Sequence, residues 1–417
     1  MRARTLLAGL VLALLVGSAF LFWRNFSDRN PRASRASAQA VAAAQRDLAR
    51  LGNVVEPNAP AADLAPDTFR QLQAEKHAVR DLVRAVLNSE SPNASSEQLR
   101  NAVVQALQSA GAIVADAAPG HNEGTPVPLF GRLTFQLERV LGHRNLVAAK
   151  VGTSIPCGTD GALYMFEREG TIWSPVLAYE APQYTKISDA YGSIDYAVSP
   201  ALDADWYLLV ASSTPACSSY WQGLRYAAMR KGADAEHPQT ILNVSAGLYQ
   251  GWEQFWKLRA DSDTAQITWP SRFKLDGTIL IRAHIGRYKI TGDKVRRIHP
   301  VALYPEDFVD EWASKPWEES ADWVAPEALP DAEAVHKWLH GSDYAVTIEF
   351  LQACPIPDHW QMGLAFEATQ TQAPPVSRLY VDVSRDGDIF RLDRIAPDRA
   401  PGCPGSDYLP QRPQSLP

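Results

Sequence analysis

The chain has 417 residues, of which 46% are hydrophobic and 21% charged, with a formal net charge of −7. This is ordinary globular composition, long enough for two or three domains with a sizeable core. The mild negative charge gives no basic footprint for nucleic acid, and 30 prolines with 12 tryptophans favour short strands and turns over a helical bundle.

The first element in chain order is residues 5–23, an uncharged apolar run bounded by Arg4 and Arg24. As a helix it would be about 28 Å long, close to the hydrocarbon thickness of a bilayer. Residues 1–24 are therefore expected to be a signal-anchor or transmembrane helix, with Trp23 at the membrane–water interface. Gly17-Ser18-Ala19 meets the small-x-small cleavage rule, but cleavage there would leave an apolar Phe20-Leu21-Phe22-Trp23 end. The short leader before the first apolar segment places the body in the periplasm or extracellular space, with the inner membrane as partner. Arg24, Arg29, Arg32 and Arg35 after the span argue for the opposite orientation.

Residues 25–66 read as an Ala/Pro-rich tether, with Arg35–Leu51 able to extend a helix and Pro57, Pro60 and Pro66 giving polyproline character. Residues 67–111 form a helical hairpin. Asp67 is placed to cap the first helix, and Phe69, Leu72, Val79, Val83 and Val86 form its apolar stripe, interrupted by Lys76. Ser95 and Gln98 make a capping box for the second helix, which buries Leu99, Val103, Ala106, Leu107 and Ala110 before Gly111 stops it. The hairpin is expected to pack on the body rather than hold a partner helix.

From Leu129 the period changes from helical to strand-like. Residues 129–313 carry about a dozen short strands with frequent turns, and the expected fold is mainly β: an antiparallel sandwich or a partial propeller-like array. Arg168-Glu169-Gly170 is a hairpin turn. Thr278–Ile285, Arg287–Thr291 and Lys294–Ile298 read as three successive strands. Pro305–Trp312 is a short helix, with proline at its first turn and Glu306 and Asp307 complementing its dipole. Residues 331–405 form a small C-terminal α+β unit, one helix from Asp331 followed by four strands, with a hairpin turn at Ser384–Gly387. Residues 406–417 are a disordered tail.

The cysteines are Cys157, Cys217, Cys354 and Cys403, with no C-x-x-C among them. In an oxidising compartment the local pairing, Cys157–Cys217 and Cys354–Cys403, is the simplest. Walker A, G-x-G-x-x-G and zinc-ribbon patterns are absent, so no cofactor and no metal is expected. His336 and His340 share a helix face without an intervening H-E-x-x-H glutamate, and suit a helix C-terminus. Ser271-Arg272-Phe273-Lys274 matches S-x-x-K, but lies between strand-like runs rather than at a helix start. Asn243-Val244-Ser245-Ala246-Gly247 lacks the first glycine of a nucleophile elbow.

Two charge clusters remain. Glu306, Asp310 and Glu311, with Trp312 and Trp317, combine carboxylates and aromatic rings as glycan binding or hydrolysis requires. The bland alternative is a helix with one solvated acidic face and one aromatic core face. Arg282, Arg287, Arg296 and Arg297 lie on neighbouring strands, either as a solvated sheet face or as an anion site. No catalytic residues are identified, and the balance leans away from an enzyme. The reading that follows is a membrane-anchored extracytoplasmic protein of binding, interaction or envelope-structural type, with a protein or glycan partner. The alternative is an envelope hydrolase or binding protein acting on glycan.

Overall fold

In a computed structural model of the chain, the residues described are 31–49, 66–113, 132–155, 158–200, 205–215, 219–251, 255–275, 281–340, 345–367 and 376–403. The expected membrane helix, about half of the tether, Cys157, Cys217 and the tail lie outside them; the described part of the tether, Pro31–Ala49, is helical. Among the described residues no helix is long and apolar enough to cross a membrane.

The protein is mainly β. Among the described residues sixteen strands form four antiparallel sheets of four strands, each built from strands consecutive in sequence. They are β1 (Thr134–Arg139) to β4 (Ile172–Glu180), β5 (Ile194–Val198) to β8 (Gln239–Tyr249), β9 (Lys257–Ala260) to β12 (Lys294–Arg297), and β13 (Ala345–Ala353) to β16 (Ile389–Ala396). Up-and-down meanders need only tight turns, which explains the regular turn signals in the sequence. Gly170, at φ +59°, makes the turn between β3 (Gly158–Glu169) and β4. The expected break near Gly286 is absent: β11 runs unbroken over Ile281–Thr291. A Cβ at Gly286 would lie 3.1 Å from the Tyr226 hydroxyl and 3.0 Å from the Tyr288 ring, so this glycine marks close packing within a strand, not a turn.

The described residues divide into two compact units. One contains α1 (Pro31–Ala49), α2 (Pro66–Ser89), α3 (Ser96–Ser109) and most of β1–β4. Its core joins Val79, Leu82, Val83 and Val86 of α2 and Leu99, Val103 and Leu107 of α3 to Val147, Val151, Tyr164, Phe166 and Trp173 of the sheet. The hairpin that composition sets apart from the β-rich region thus shares a core with its first sheet. Lys76 and Glu75 are buried within α2. The Ser95–Gln98 capping box is present in full, whereas Asp67 lies inside the first turn of α2 and pairs with Arg70.

Polar contacts fix the hairpin on the sheet. The Asn88 side chain donates to the Trp173 carbonyl (2.9 Å) and accepts from the Trp173 amide (2.7 Å), imitating a neighbouring strand. Arg139 and Arg168 donate to the Ala94 and Pro92 carbonyls in the α2–α3 connection, and their guanidinium groups lie over the Trp173 ring.

The other unit holds the remaining three sheets, with α4 (Pro305–Ser314), α5 (Trp317–Ser320) and α6 (Leu329–His340). Leu224, Tyr226 and Leu248 of the second sheet pack with Ile267 and Trp269 of the third. Phe308, Val309 and Trp312 of α4 join Val381, Phe390 and Leu392 of the fourth sheet. Cys354 and Cys403 form a disulfide, as local pairing predicts, tying the residue after β13 to the segment after β16.

Candidate functional site

The site grows from one helix and the two strands facing it. In the register of β11 and β12, Tyr288 opposes Arg297 and Lys289 opposes Arg296. Side chains alternate faces along a strand, and directly opposed residues share a face. Arg282, His284, Tyr288 and Arg297 therefore belong to one face of the sheet, and Arg287 and Arg296 to the other. The four arginines do not act as one cluster.

The first face meets α4. Arg282 Nε donates to Asp310 Oδ2 at 2.7 Å, and its Nη2 donates to Glu311 Oε2. Asp310 Oδ1 accepts from the amides of Lys274 and Leu275, both at 2.7 Å. Glu311 also meets Arg297 (2.6 Å), His284 (3.2 Å) and Lys315 (3.4 Å). Arg297 continues to Glu319 at 2.5 Å and donates to the Ile285 carbonyl at 2.8 Å. Asp310, Glu311 and Arg282 are all within 1% of complete burial.

Burial alone would raise the Glu311 carboxyl, but Arg282 and Arg297 more than reverse this and hold it well below the usual carboxylate range. Burial and the Arg282 charge keep the His284 imidazole below its ordinary value, partly offset by Glu311. The network is a set of largely buried charges that pair with one another and with backbone amides, leaving Arg282 Nη1 and Arg297 Nε without a partner.

This placement corrects the reading of α4. Glu306, Asp310, Glu311 and Trp312 are buried, with neither a solvated acidic face nor an open aromatic platform. The helix lies between two sheets, its aromatic side in the core of the fourth and its acids against the third. Trp317 is half-buried against that core and lies 5.3 Å from His336. Asp310 borders a cavity of 260 Å³ with Ser314, Leu339 and His340, but both its oxygens are already engaged.

The larger cavity, 670 Å³, lies beside Arg297. One wall is Arg287, Arg296, Arg297, Ile298 and His299. Asp322 and Trp323 come from the turn after α5, and Asp386, Asp388 and Ile389 from the β15–β16 hairpin. Gly387 lets that hairpin turn within two residues, at φ +58°. Arg297, fixed by Glu311 and Glu319, lies over the Trp323 ring at 5.4 Å, so the buried network positions part of the cavity wall. Arg287 donates to the His299 carbonyl at 3.1 Å. Arg287 Nε, Arg297 Nε and His299 Nδ1 are buried with no hydrogen-bond partner. Burial and the charges of Arg297 and Arg391 push the His299 imidazole down, towards its neutral form.

The other sequence candidates are structural. Ser271 lies within β10 (Thr264–Arg272), paired with Arg282, and Ser245 lies within β8. The rings of His336 and His340 stack at 4.4 Å, and His336 Nε2 donates to the Lys315 carbonyl at 2.8 Å. Among the described residues no group of three or more His, Cys, Asp or Glu could hold a metal ion. Sequence reasoning singled out the arginines but missed His299, Asp322, Asp386 and Asp388. These come from separate segments, and no local signal links them.

No family model and no curated protein matches the sequence. A solved structure of a BT0996 RGII complex is similar over 66% of this chain and 74% of its own, at 8% identity and a TM-score of 0.23. At that score the similarity carries no argument about fold or function.

Proposed function

We propose that the chain is an extracytoplasmic binding protein without catalytic activity of its own, anchored in an inner membrane by residues 5–23, with its ligand in the Arg287–Arg296–Arg297 cavity. The observation that carries the binding reading is the composition of the cavity lining: Arg287 and Arg296, which form no ion pair among the described residues, occur there together with Asp322, Asp386 and Asp388. The volume, 670 Å³, falls in the usual range for small-ligand sites. The Cys354–Cys403 disulfide suits an oxidising compartment.

Two experiments test the two halves. Thiols of intact cells are labelled with a reagent that does not cross the inner membrane, with and without prior reduction. Labelling only after reduction supports the extracytoplasmic body. Labelling that requires permeabilised cells and no reductant abolishes it. For the cavity, the dialysable small-molecule fraction of the envelope is titrated calorimetrically into the full-length protein in detergent. Heat that is saturable in wild type and lost in Arg287→Ala supports the reading, and no heat in wild type sinks it.

A second reading, binding of glycan, is favoured by one feature. The cavity brings carboxylates, arginines and the Trp323 ring together, a combination able to meet both hydroxyls and the apolar face of a sugar.

A further inference from the structure

We infer that the cavity takes a hydroxyl-bearing organic acid, of the sugar-acid class, rather than a neutral sugar or a bare inorganic anion. This rests on the binding reading above and deepens it.

The charge of Arg297 is already spent: Glu311 and Glu319 both pair with it. Those of Arg287 and Arg296 are not. Neither side chain forms an ion pair among the described residues, and Arg287 uses only Nη1, on a neutral carbonyl. Two uncompensated guanidinium groups on one sheet face are suited to a planar, bidentate acceptor such as a carboxylate.

The aspartates on the other side of the cavity define the rest of the ligand. Asp386 and Asp388 stand on the hairpin turned by Gly387. Their side chains, like that of Asp322, make no ion pair or hydrogen bond among the described residues. Opposite charges that line one cavity without neutralising each other leave both sets available. A bare phosphate or sulfate would satisfy the arginines but face the aspartates with more negative charge. A neutral sugar would satisfy the aspartates through its hydroxyls and leave the arginines unpaired. A molecule with one acid group and several hydroxyls meets both, and Ile298 and Ile389 offer apolar surface to its carbon skeleton.

The test is calorimetry on the full-length protein in detergent with three probes: glucuronate, glucose and inorganic phosphate. Glucuronate is expected to bind saturably, with glucose and phosphate each at least about tenfold weaker, since each lacks one of the two sets of polar contacts. Arg296→Ala, at an exposed position that the fold does not depend on, should weaken glucuronate about tenfold and leave glucose unchanged. Asp388→Asn should weaken glucuronate and glucose alike. Glucose binding as tightly as glucuronate would overturn the acid requirement, and phosphate binding as tightly would overturn the hydroxyl requirement. Wild-type binding of glucuronate that survives both substitutions would also overturn the inference. If no probe binds while the envelope fraction still gives saturable heat, only the ligand class is wrong. If neither binds, the cavity reading falls with it.

Discussion

Two regions of this molecule lay a helix against an antiparallel sheet by opposite means. In one unit, α2 and α3 meet β1–β4 mainly through aliphatic side chains, with Val79, Leu82, Val83, Leu99, Val103 and Leu107 in a core with Val147, Val151 and Phe166. In the other, α4 meets β11 and β12 through Asp310 and Glu311 against Arg282, Arg297 and His284. The apolar contact is non-directional and tolerates changes of shape. The charged one is directional: each carboxylate oxygen has an assigned partner, and removing one partner strands another charge in the interior. The first device supplies adhesion. The second sets the register of a helix on a sheet, and through Arg297 it reaches the cavity wall.

The largest expected effect breaks the charged contact. Arg282→Met leaves Asp310 and Glu311 buried without their main cation, and should destabilise this unit by about 3–5 kcal/mol. Hydrogen exchange resolves the outcome: amides of β9–β12 should lose protection while those of β1–β4 keep theirs. Equal loss in both sheets would mean that the two contacts are not separate devices. Acid should imitate the substitution. The depressed Glu311 pKa gives stability that is present above the unfolded carboxylate value, about 4.3, and lost as pH falls below it. The depressed His284 pKa has the same sign. Its contribution is present above the unfolded histidine value, about 6.5, and declines as pH falls. Protection in β9–β12 should therefore fall from pH 7 to about pH 3 by more in wild type than in Arg282→Met.

The disulfide adds a second constraint to the charged unit. Cys354 and Cys403 are 49 residues apart, and the chain-entropy model gives about 4 kcal/mol for closing such a loop. The double substitution Cys354→Ser/Cys403→Ser should lower the denaturation midpoint of this unit, without changing the pH dependence that Arg282 carries. A changed pH profile would show that the crosslink and the ion network are coupled.

These contrasts follow what the sequence does and does not display. The hairpin, its capping box and the successive strands are legible because their signals are local: a 3.6-residue or two-residue period, a cap three residues from its partner, a glycine at a turn. The role of α4 is not legible. Its sequence, Pro305–Ser314, has the aromatic stripe and acidic face of a surface helix. Only a second sheet with Arg282 and Arg297 at the right register turns that face inward. The arginines were visible as a group, but their division depends on β11 running unbroken through Gly286, where a glycine within strand-like sequence reads as an interruption. The cavity was less visible still, since its carboxylates come from the turn after α5 and from the last hairpin.

The apolar contact should respond differently. Leu82 is fully buried in the aliphatic core, and Leu82→Ala should cost about 3 kcal/mol through lost transfer energy and the cavity left behind. No titratable group takes part, so the loss should be the same at pH 7 and pH 5. It should appear in the exchange of β1–β4 amides. A pH-dependent penalty would point instead to the buried Lys76 and Glu75 of the same helix, and would make the two units less different than their cores suggest.

The smallest effect isolates a local signal from the packing around it. Ser95 accepts from the Gln98 amide, and the Gln98 side chain accepts from the Ser95 amide at 2.7 Å. Ser95→Ala removes one half of the box and should cost about 1 kcal/mol. The neighbouring connection is also held from the sheet, by Arg139 on the Ala94 carbonyl and Arg168 on that of Pro92. If the cap acts alone, Ser95→Ala and Arg139→Ala should add within about 0.5 kcal/mol. A larger joint loss would mean that the arginine holds the start of α3 in the geometry the cap requires, so that even in the aliphatic unit a directional polar contact sets where the helix begins.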